Sequence, residues 1–319
     1  MNYCENQYFG HLVKGNLKGA ISYLSQFPEQ KNRLDRLLNR FEKEQFTTYG
    51  IEPELEKLLH FYRQYYRDVF YLGMNGTSAE ELLCNKLAAH FGITDTKKLG
   101  DLEETYVKDA FQKKGYCFLG GRTGGYYGPY IWKHTEVKSY EVELPEGIQE
   151  YSVNLLDGFI MKSWLDYLSL GEIGTGGWTD GDGIINCVKA SYDLESESFQ
   201  VSLLKHEAQH ARDLYTAPNL PSGDLEYRAK LVELIYSEER PLLRQFLYEA
   251  GEAGKDNGHA VAAERIVRDF CAALNQKKET LAAISVEQIQ ALARVLFDRS
   301  QILLEQNAAF RNGIYGGIQ

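Results

Sequence analysis

The sequence has little of what marks membrane proteins, nucleic-acid binders or disulfide-stabilised scaffolds. It contains no apolar run of about 18 residues, so we expect no transmembrane helix and no membrane partner. Its 45 acidic residues outnumber its 35 lysines and arginines, and a net charge of −10 argues against a nucleic-acid partner, whose phosphates require basic surface. The five cysteines are scattered and form no CxxC pair, so we expect reduced thiols.

What remains is the composition of a globular chain. Hydrophobic residues make up 44% and charged residues 25% of the sequence, and the mean hydropathy is −0.40. A length of 319 residues allows two domains or one large one. The first twenty residues lack the charged start and apolar core of a secretory signal, so we expect a cytoplasmic protein.

The texture of the chain divides it into three regions. Residues 1–115 repeat apolar side chains at helical spacing, and Ser78 with Glu81 forms the S-x-x-E pattern of a helix-capping box. Residues 116–198 are rich in glycine and tyrosine and predict a β-rich part, whereas residues 199–319 are strongly helical. We therefore predict an α+β fold that is mostly helical, with a small central sheet and a helical C-terminal lobe.

The middle region contains several local signals. Residues 137–144 alternate apolar and polar side chains, which indicates a strand, and residues 151–170 have a helical pattern. The stretch from Gly120 to Gly125 is typical of a turn between strands, because the Tyr-Tyr-Gly-Pro that follows cannot start the helix of a phosphate-binding loop. The glycine-dense residues 171–183 predict a long turn rather than the flexible lip of a cleft.

The strongest chemical signal is the pentapeptide HEAQH at residues 206–210, which matches HExxH. On a helix, His206 and His210 lie on one face about one turn apart, so both imidazoles can reach one tetrahedral zinc. Glu207, between them, is placed to act on a metal-bound water. This pattern is typical of a zinc-dependent hydrolase.

The flanks of the pentapeptide support a helix. Residues 201–214 contain no glycine or proline, and Ser196 or Ser198 can cap the start. Asp213 continues the polar stripe begun by the two histidines and can accept a hydrogen bond from one of them. Upstream, the β-branched residues of 183–192 predict a strand that leads into this helix.

A third ligand is expected on the next helix. A second helical run starts at Asp224, and Glu226 follows His210 by 16 residues. The connecting segment contains two prolines and a glycine, so it can turn the second helix back against the first and bring Glu226 to the metal. Asp224 is a competing ligand, and a solvated glutamate favoured by the helix dipole is the other interpretation of Glu226.

HExxH followed by a glutamate on the next helix resembles the gluzincin branch of the zincin metallopeptidases, the group that includes thermolysin. The resemblance implies one Zn²⁺ per chain, with His206, His210 and Glu226 as ligands and Glu207 as the general base of peptide-bond hydrolysis. It implies a zincin-like fold, a peptide or protein substrate, and a strand edge that pairs with the extended substrate. Many gluzincins carry an aspartate four residues after the third ligand, where this chain has Lys230.

The resemblance also implies a donor for the oxyanion of the reaction. Thermolysin-like enzymes use a downstream histidine, and other gluzincins use a tyrosine. His259 is the only histidine after the pentapeptide and is therefore predicted as a catalytic residue. Tyr215, Tyr227 and Tyr315 are the alternatives.

Two other interpretations stay open. One is a zincin-fold protein that binds metal without useful peptidase activity, and replacing Glu207 by glutamine would then leave its function intact. The other is a helical scaffold in which HEAQH is accidental. That scaffold would bind no stoichiometric metal.

Overall fold

The computed structural model of the protein describes six ranges of the chain: residues 3–46, 48–94, 98–180, 183–238, 241–250 and 258–307. The fold is mixed α and β, mostly helical with small sheets, as the sequence predicts. The chain forms two compact units, the first from residues 1–134 and 156–175 and the second from 135–155 and 176–319. The three regions defined above by residue pattern, 1–115, 116–198 and 199–319, have bounds different from those of the two units.

Unit 1 begins with seven helices in its described residues, as the apolar periodicity of residues 1–115 predicts. They are α1 Glu5–Val13, α2 Leu17–Leu24, α3 Lys31–Phe41, α4 Pro53–Tyr66, α5 Gly76–Phe91, α6 Leu99–Leu102 and α7 Lys108–Gln112. The residues Arg67–Leu72 and Glu103–Val107 add π-helical turns after α4 and α6. The apolar faces of these helices surround a core rich in buried tyrosines, among them Tyr8, Tyr62 and Tyr66.

The predicted capping box in α5 is wrong. The helix begins at Gly76, two residues before Ser78, and Asn75 caps it by accepting a hydrogen bond from the backbone N–H of Thr77 at 3.0 Å. Asparagine is among the best N-cap residues, so it overrides the weaker S-x-x-E pattern that follows.

The strands form three small sheets. They are β1 Cys117–Leu119, β2 Arg122–Thr123, β3 Tyr126–Tyr127, β4 Tyr130–Trp132, β5 His134–Leu144, β6 Gly147–Asp157, β7 Met161–Lys162, β8 Gly177–Thr179 and β9 Ile185–Val188. Unit 1 contains the sheet β1-β4-β7 and the hairpin β2-β3, so the turn predicted from Gly120 to Gly125 is confirmed. The four-stranded sheet has the order β5-β6-β9-β8, which places β8 at an edge.

The predicted helix over residues 151–170 is wrong for its first half. Residues up to Asp157 belong to β6, which alternates exposed and buried side chains, with Tyr151, Val153 and Leu155 buried. A helix, α8, covers only Ser163–Leu168. Strand β6 has apolar residues at every second position, and the short helix α8 follows it closely. Read as one segment, their combined spacings resemble the pattern of a single helix.

Unit 2 ends in a helical part. Its helices are α9 Glu197–Phe199, α10 His206–Thr216, α11 Ser222–Tyr236, α12 Pro241–Glu249, α13 Gly258–Leu274, α14 Lys278–Leu281 and α15 Val286–Gln306. A π-helical segment, Gln200–Lys205, joins α9 to α10 without a break. The core of this unit lies between the four-stranded sheet and these helices, and α11 is buried along most of its length.

Two predictions from composition can be compared with this structure. Within the described ranges, the helices are too short or too polar to cross a bilayer. All five cysteines lie in described residues and are free.

Candidate metal centre

The helix that carries HEAQH is held by a cap at its start and by core contacts along one side. Ser196 caps its start by accepting a hydrogen bond from the backbone N–H of Phe199 at 3.3 Å, so Ser196 rather than Ser198 is the cap. Leu203, Leu204 and Ala208 point into the core of unit 2. The helix is continuous from Glu197 to Thr216, which confirms and extends the predicted range.

The edge strand β8 lies against this helix. Gly177 permits the approach, because a Cβ atom there would sit 2.4 Å from Cδ1 of Leu203 and 2.7 Å from the carbonyl oxygen of Asn186. Part of the stretch predicted as a long turn, residues 171–183, is therefore a strand. The predicted strand over 183–192 is shorter than expected, since β9 ends at Val188.

The second helix brings a carboxylate to the two histidines. Glu226 is the fifth residue of α11, and its Oε2 lies 3.5 Å from Nε2 of His206. Its Oε1 lies 3.6 Å from Nε2 of His210. The two Nε2 atoms are 3.0 Å apart, and the rings are perpendicular, at 88°. The structure thus brings together the three side chains that the sequence predicts as ligands.

These separations fit a metal ion. With zinc–nitrogen bonds of about 2.0–2.1 Å and tetrahedral angles, two ligand atoms lie roughly 3.3–3.4 Å apart. The observed separations of 3.0, 3.5 and 3.6 Å lie around that value. Oε2 of Glu226 is buried and has no hydrogen-bond partner in the described structure, although imidazole nitrogens lie near it. A buried carboxylate oxygen in this situation is best satisfied by a cation.

Glu233 holds the first histidine in the orientation that a ligand needs. Its Oε1 lies 2.7 Å from Nδ1 of His206, and both side chains are buried. A proton on Nδ1 that is donated to Glu233 leaves the lone pair of Nε2 free to face Glu226 and His210. Glu233 is not among the site residues predicted from the sequence. It lies seven residues after Glu226, on the same face of α11, and that spacing was the available signal.

Asp213 does not have the role predicted for it. Its carboxylate accepts hydrogen bonds from Nε of Arg228 at 2.8 Å and from Nε2 of Gln209 at 2.9 Å, and contacts neither histidine. The prediction failed because helical spacing places Asp213 on the same face as His206 but does not decide which side chain its carboxylate contacts. Here the neighbour is a buried arginine, which competes successfully for the carboxylate. Lys230 likewise lies away from the site and pairs with Glu249 at 2.8 Å.

The carboxylates and imidazoles of the site shift each other's pKa. Burial lowers the pKa of His206, but Glu233 and Glu226 outweigh it and raise that pKa to about 10. Burial raises the pKa of Glu226, but the facing imidazoles of His206, His210 and His259 outweigh it and hold that pKa far below its usual range. Both shifts come from the pairing of these carboxylates with the imidazoles that face them.

Glu207 points to the edge strand. Oγ1 of Thr179, the last residue of β8, lies 2.8 Å from Oε2 of Glu207 and 2.9 Å from its carbonyl oxygen, so the hydroxyl donates to one of the two. The side chain predicted as a general base is therefore positioned between α10 and the edge strand β8.

The candidates for the oxyanion donor lie in different surroundings. His259, the second residue of α13, reaches the site, with Nδ1 3.0 Å from Oε2 of Glu226. Tyr227 donates to Asp269 at 2.9 Å, and Tyr215 is 81% exposed at the end of α10. Tyr315 lies outside the described residues. Asp224, the competing ligand, is 2.5 Å from Nη1 of Arg265 instead.

The comparisons with known proteins add no assignment. No family model matches the chain, and the searches of curated proteins and of solved structures also give no match.

Proposed function

We propose that the protein is a zinc-dependent metallopeptidase of the zincin type, similar to the gluzincins. The observation that carries the proposal is the arrangement of His206, His210 and Glu226 at separations of 3.0, 3.5 and 3.6 Å, with a buried carboxylate oxygen that faces the imidazoles without a hydrogen bond. Two imidazoles and one carboxylate are a usual ligand set of catalytic zinc. No cysteine is needed, in keeping with the scattered thiols.

Zinc bound to these three side chains would polarise the scissile carbonyl and lower the pKa of water at the site. The chain supplies the proton transfers. The carboxylate of Glu207 accepts the proton of the attacking water and delivers it to the nitrogen of the leaving amine. Thr179 restrains that carboxylate through its hydroxyl, at 2.8 Å from Oε2. Glu233 keeps His206 in the tautomer that binds metal through Nε2.

The strand edge suggests how substrate is held. β8 is an edge strand, and its last residue, Thr179, contacts the side chain of Glu207. An extended peptide that adds to this edge would pass close to the proposed general base. Main-chain hydrogen bonds would supply affinity, and side-chain pockets would supply selectivity.

Metal content tests the first half of the proposal. Elemental mass spectrometry of the purified protein should find about one zinc per chain, and Glu226→Ala should lose most of it because a ligand is gone. Glu264→Ala is the matched control, since Glu264 is an exposed glutamate of the neighbouring helix α13. A native protein that takes up no zinc even when zinc is added would remove the basis of the proposal.

Peptide hydrolysis tests the second half. Zinc-loaded protein should cleave members of a broad peptide library, and Glu207→Gln should reduce the rate by about 10²- to 10⁴-fold while zinc content stays the same. A loaded protein that cleaves nothing, under conditions in which a known zincin works, would instead favour a metal-binding protein without peptidase activity.

A further inference from the structure

The position of His259 is set by the way in which two helices pack. Gly258, the first residue of α13, lies so close to α11 that a Cβ atom there would be 2.9 Å from Oγ of Ser222 and 3.2 Å from Cγ of Glu226. A glycine at this point lets the start of α13 contact the start of α11. The next residue is His259, which the close approach delivers to the carboxylate of Glu226.

Further contacts along the same two helices hold this approach in place. Tyr227 of α11 donates a hydrogen bond to Asp269 of α13 at 2.9 Å. Arg265 of α13 pairs with Asp224 of α11 and lies 3.9 Å from the centre of the Tyr227 ring. These polar contacts lie beside buried alanines of α13, so the interface is close-packed. The backbone at His259 is therefore fixed by residues other than His259 itself.

The imidazole of His259 converges with two of the three predicted ligands, His206 and Glu226. Its Nδ1 is 3.0 Å from Oε2 of Glu226, and one ligand atom from each of His206, Glu226 and His259 lies within 4.8 Å of the others. The rings of His206 and His259 are nearly parallel, at 21°, with centroids 6.0 Å apart. Oε2 of Glu226, which lies between them, is the buried oxygen without a hydrogen bond. The nitrogen and oxygen atoms of these three side chains face one volume, as ligand atoms around an ion do.

We propose that His259 is a fourth protein ligand, which binds the metal through Nδ1 and closes the site in the resting state. This inference rests on the proposed zinc site and deepens it. Four protein ligands are typical of closed zinc sites, whereas catalytic sites keep one position open. Hydrolysis would then require His259 to leave and substrate to take its place.

The surroundings of the three histidines allow this exchange. The side chain of His259 is 57% exposed, whereas those of His206 and His210 are 8% and 12% exposed. His259 can rotate into solvent without opening the core of unit 2, but the other two cannot. A fourth ligand predicts behaviour different from that of an oxyanion donor, which touches substrate and leaves the metal unaltered.

Cobalt substitution separates the two roles, because the visible absorption of Co²⁺ reports its ligands directly. Wild-type Co²⁺ protein should give a spectrum that added imidazole leaves unchanged. His259→Ala should give a different spectrum, and added imidazole should restore the wild-type bands by filling the vacated position. His259→Asn, which retains a polar side chain but lacks the ring nitrogen, should behave like the alanine variant.

Zinc affinity gives a second measurement. Competition with a chelator should show that His259→Ala binds zinc at least about tenfold more weakly, since even outer-shell changes cost roughly 10- to 100-fold. His134→Ala is the control, because His134 is an exposed histidine of unit 1, and it should leave both spectrum and affinity unchanged.

The outcomes distinguish the two proposals. A wild-type protein that takes up no stoichiometric metal overturns the zinc site and this inference together. A wild-type protein that binds zinc, with cobalt spectra and imidazole responses equal to those of His259→Ala, overturns the fourth ligand alone. A peptide-hydrolysis rate that rises in His259→Ala, together with the spectral change, supports a closed resting state.

Discussion

The helices α10 and α11 share two buried polar clusters of opposite character. The ligand cluster consists of His206, His210, Glu226 and Glu233. The arginine network consists of Glu146, Gln209, Asp213, Arg228 and Ser300. Both clusters join the same two helices, yet one is centred on a guanidinium and the other has no such group among its members.

The two clusters differ in how their polar and charged groups are paired. Arg228 fills the arginine network with hydrogen bonds of 2.8 to 3.1 Å to Asp213, Ser300, Glu146 and Gln301, so its charge is compensated by the protein alone. In the ligand cluster two ring nitrogens face each other at 3.0 Å, and Oε2 of Glu226 has no hydrogen bond. In the arginine network Oε2 of Glu146 and Oε1 of Gln209 are likewise buried without a hydrogen bond, but each guanidinium nitrogen of Arg228 donates at least one. For the ligand cluster, we propose a cation as the missing partner.

The largest effect should come from the arginine network. Replacing Arg228 by methionine leaves the buried carboxylate of Asp213 without a cation, which should lower the free energy of unfolding by about 3–5 kcal/mol. Denaturant titration measures this change. Arg268→Met is the control, because its pair with Asp269 is exposed and worth roughly 0–1 kcal/mol. Zinc affinity of the folded protein should stay the same, and a large change would mean that the clusters are one unit.

A buried carboxylate of unit 1 extends the comparison to a site without any partner cation. Burial raises the pKa of Glu103 to about 7, although hydrogen bonds from Tyr62 at 2.7 Å and from the N–H of Gly121 at 2.8 Å oppose the shift. Between pH 4.5 and 7 the unfolded chain loses this proton before the native protein does, so stability falls as the pH rises.

This fall is measured against Glu103→Gln, which cannot titrate. The unfolding free energy of the wild type minus that of the variant should decrease by about 3 kcal/mol from pH 4.5 to pH 8. Contributions from other groups cancel in the difference. A difference that does not change with pH would show that Glu103 ionises in the native protein as it does in the unfolded chain.

Zinc itself should stabilise the ligand cluster. Zinc at 100 times its dissociation constant raises the unfolding free energy by about 2.7 kcal/mol, provided that it binds the native state only. Melting in zinc and in a saturating chelator should therefore differ for the wild type and for Arg268→Met. Glu226→Ala should melt at the same temperature in both, and a zinc-dependent shift that survives this substitution would place the metal elsewhere.

The smallest of these effects should come from Glu233. Glu233→Gln keeps the shape of the side chain but weakens its hold on His206, and zinc affinity should fall by about 10- to 100-fold, or roughly 1.4–2.7 kcal/mol. Chelator competition measures it. Glu249→Gln removes a carboxylate that pairs with Lys230 instead, and its zinc affinity should equal that of the wild type.

The sequence predicted those parts of the site that depend on local spacing. The pair His206 and His210 follows from helical geometry, and the approach of Glu226 follows from the turn-forming segment between α10 and α11. The long helix α15 lies within residues 199–319, which the periodicity predicts to be helical, and Ser285 with Gln288 forms a capping box at its start.

Long-range neighbours could not be predicted. Glu233 holds His206, and Arg228 takes Asp213, because of how two helices are rotated against each other. A single sequence does not give this rotation, so it cannot show which acidic side chain of α11 contacts His206. The edge strand β8 was hidden for a similar reason, since its glycine is required by the neighbouring side chain of Leu203 rather than by a turn.

The return of residues 156–175 to unit 1 sets the order in which that unit can fold during synthesis. Strand β4 emerges about thirty residues before its partner β7. At a typical rate of about 5–20 residues per second, the gap lasts roughly 2–6 seconds. During this time Phe70 lacks the ring of Trp164, on which it stacks in the native protein with ring centroids 5.1 Å apart. The ribosome therefore completes β5 and β6, most of whose residues belong to unit 2, before it has made the last segment of unit 1.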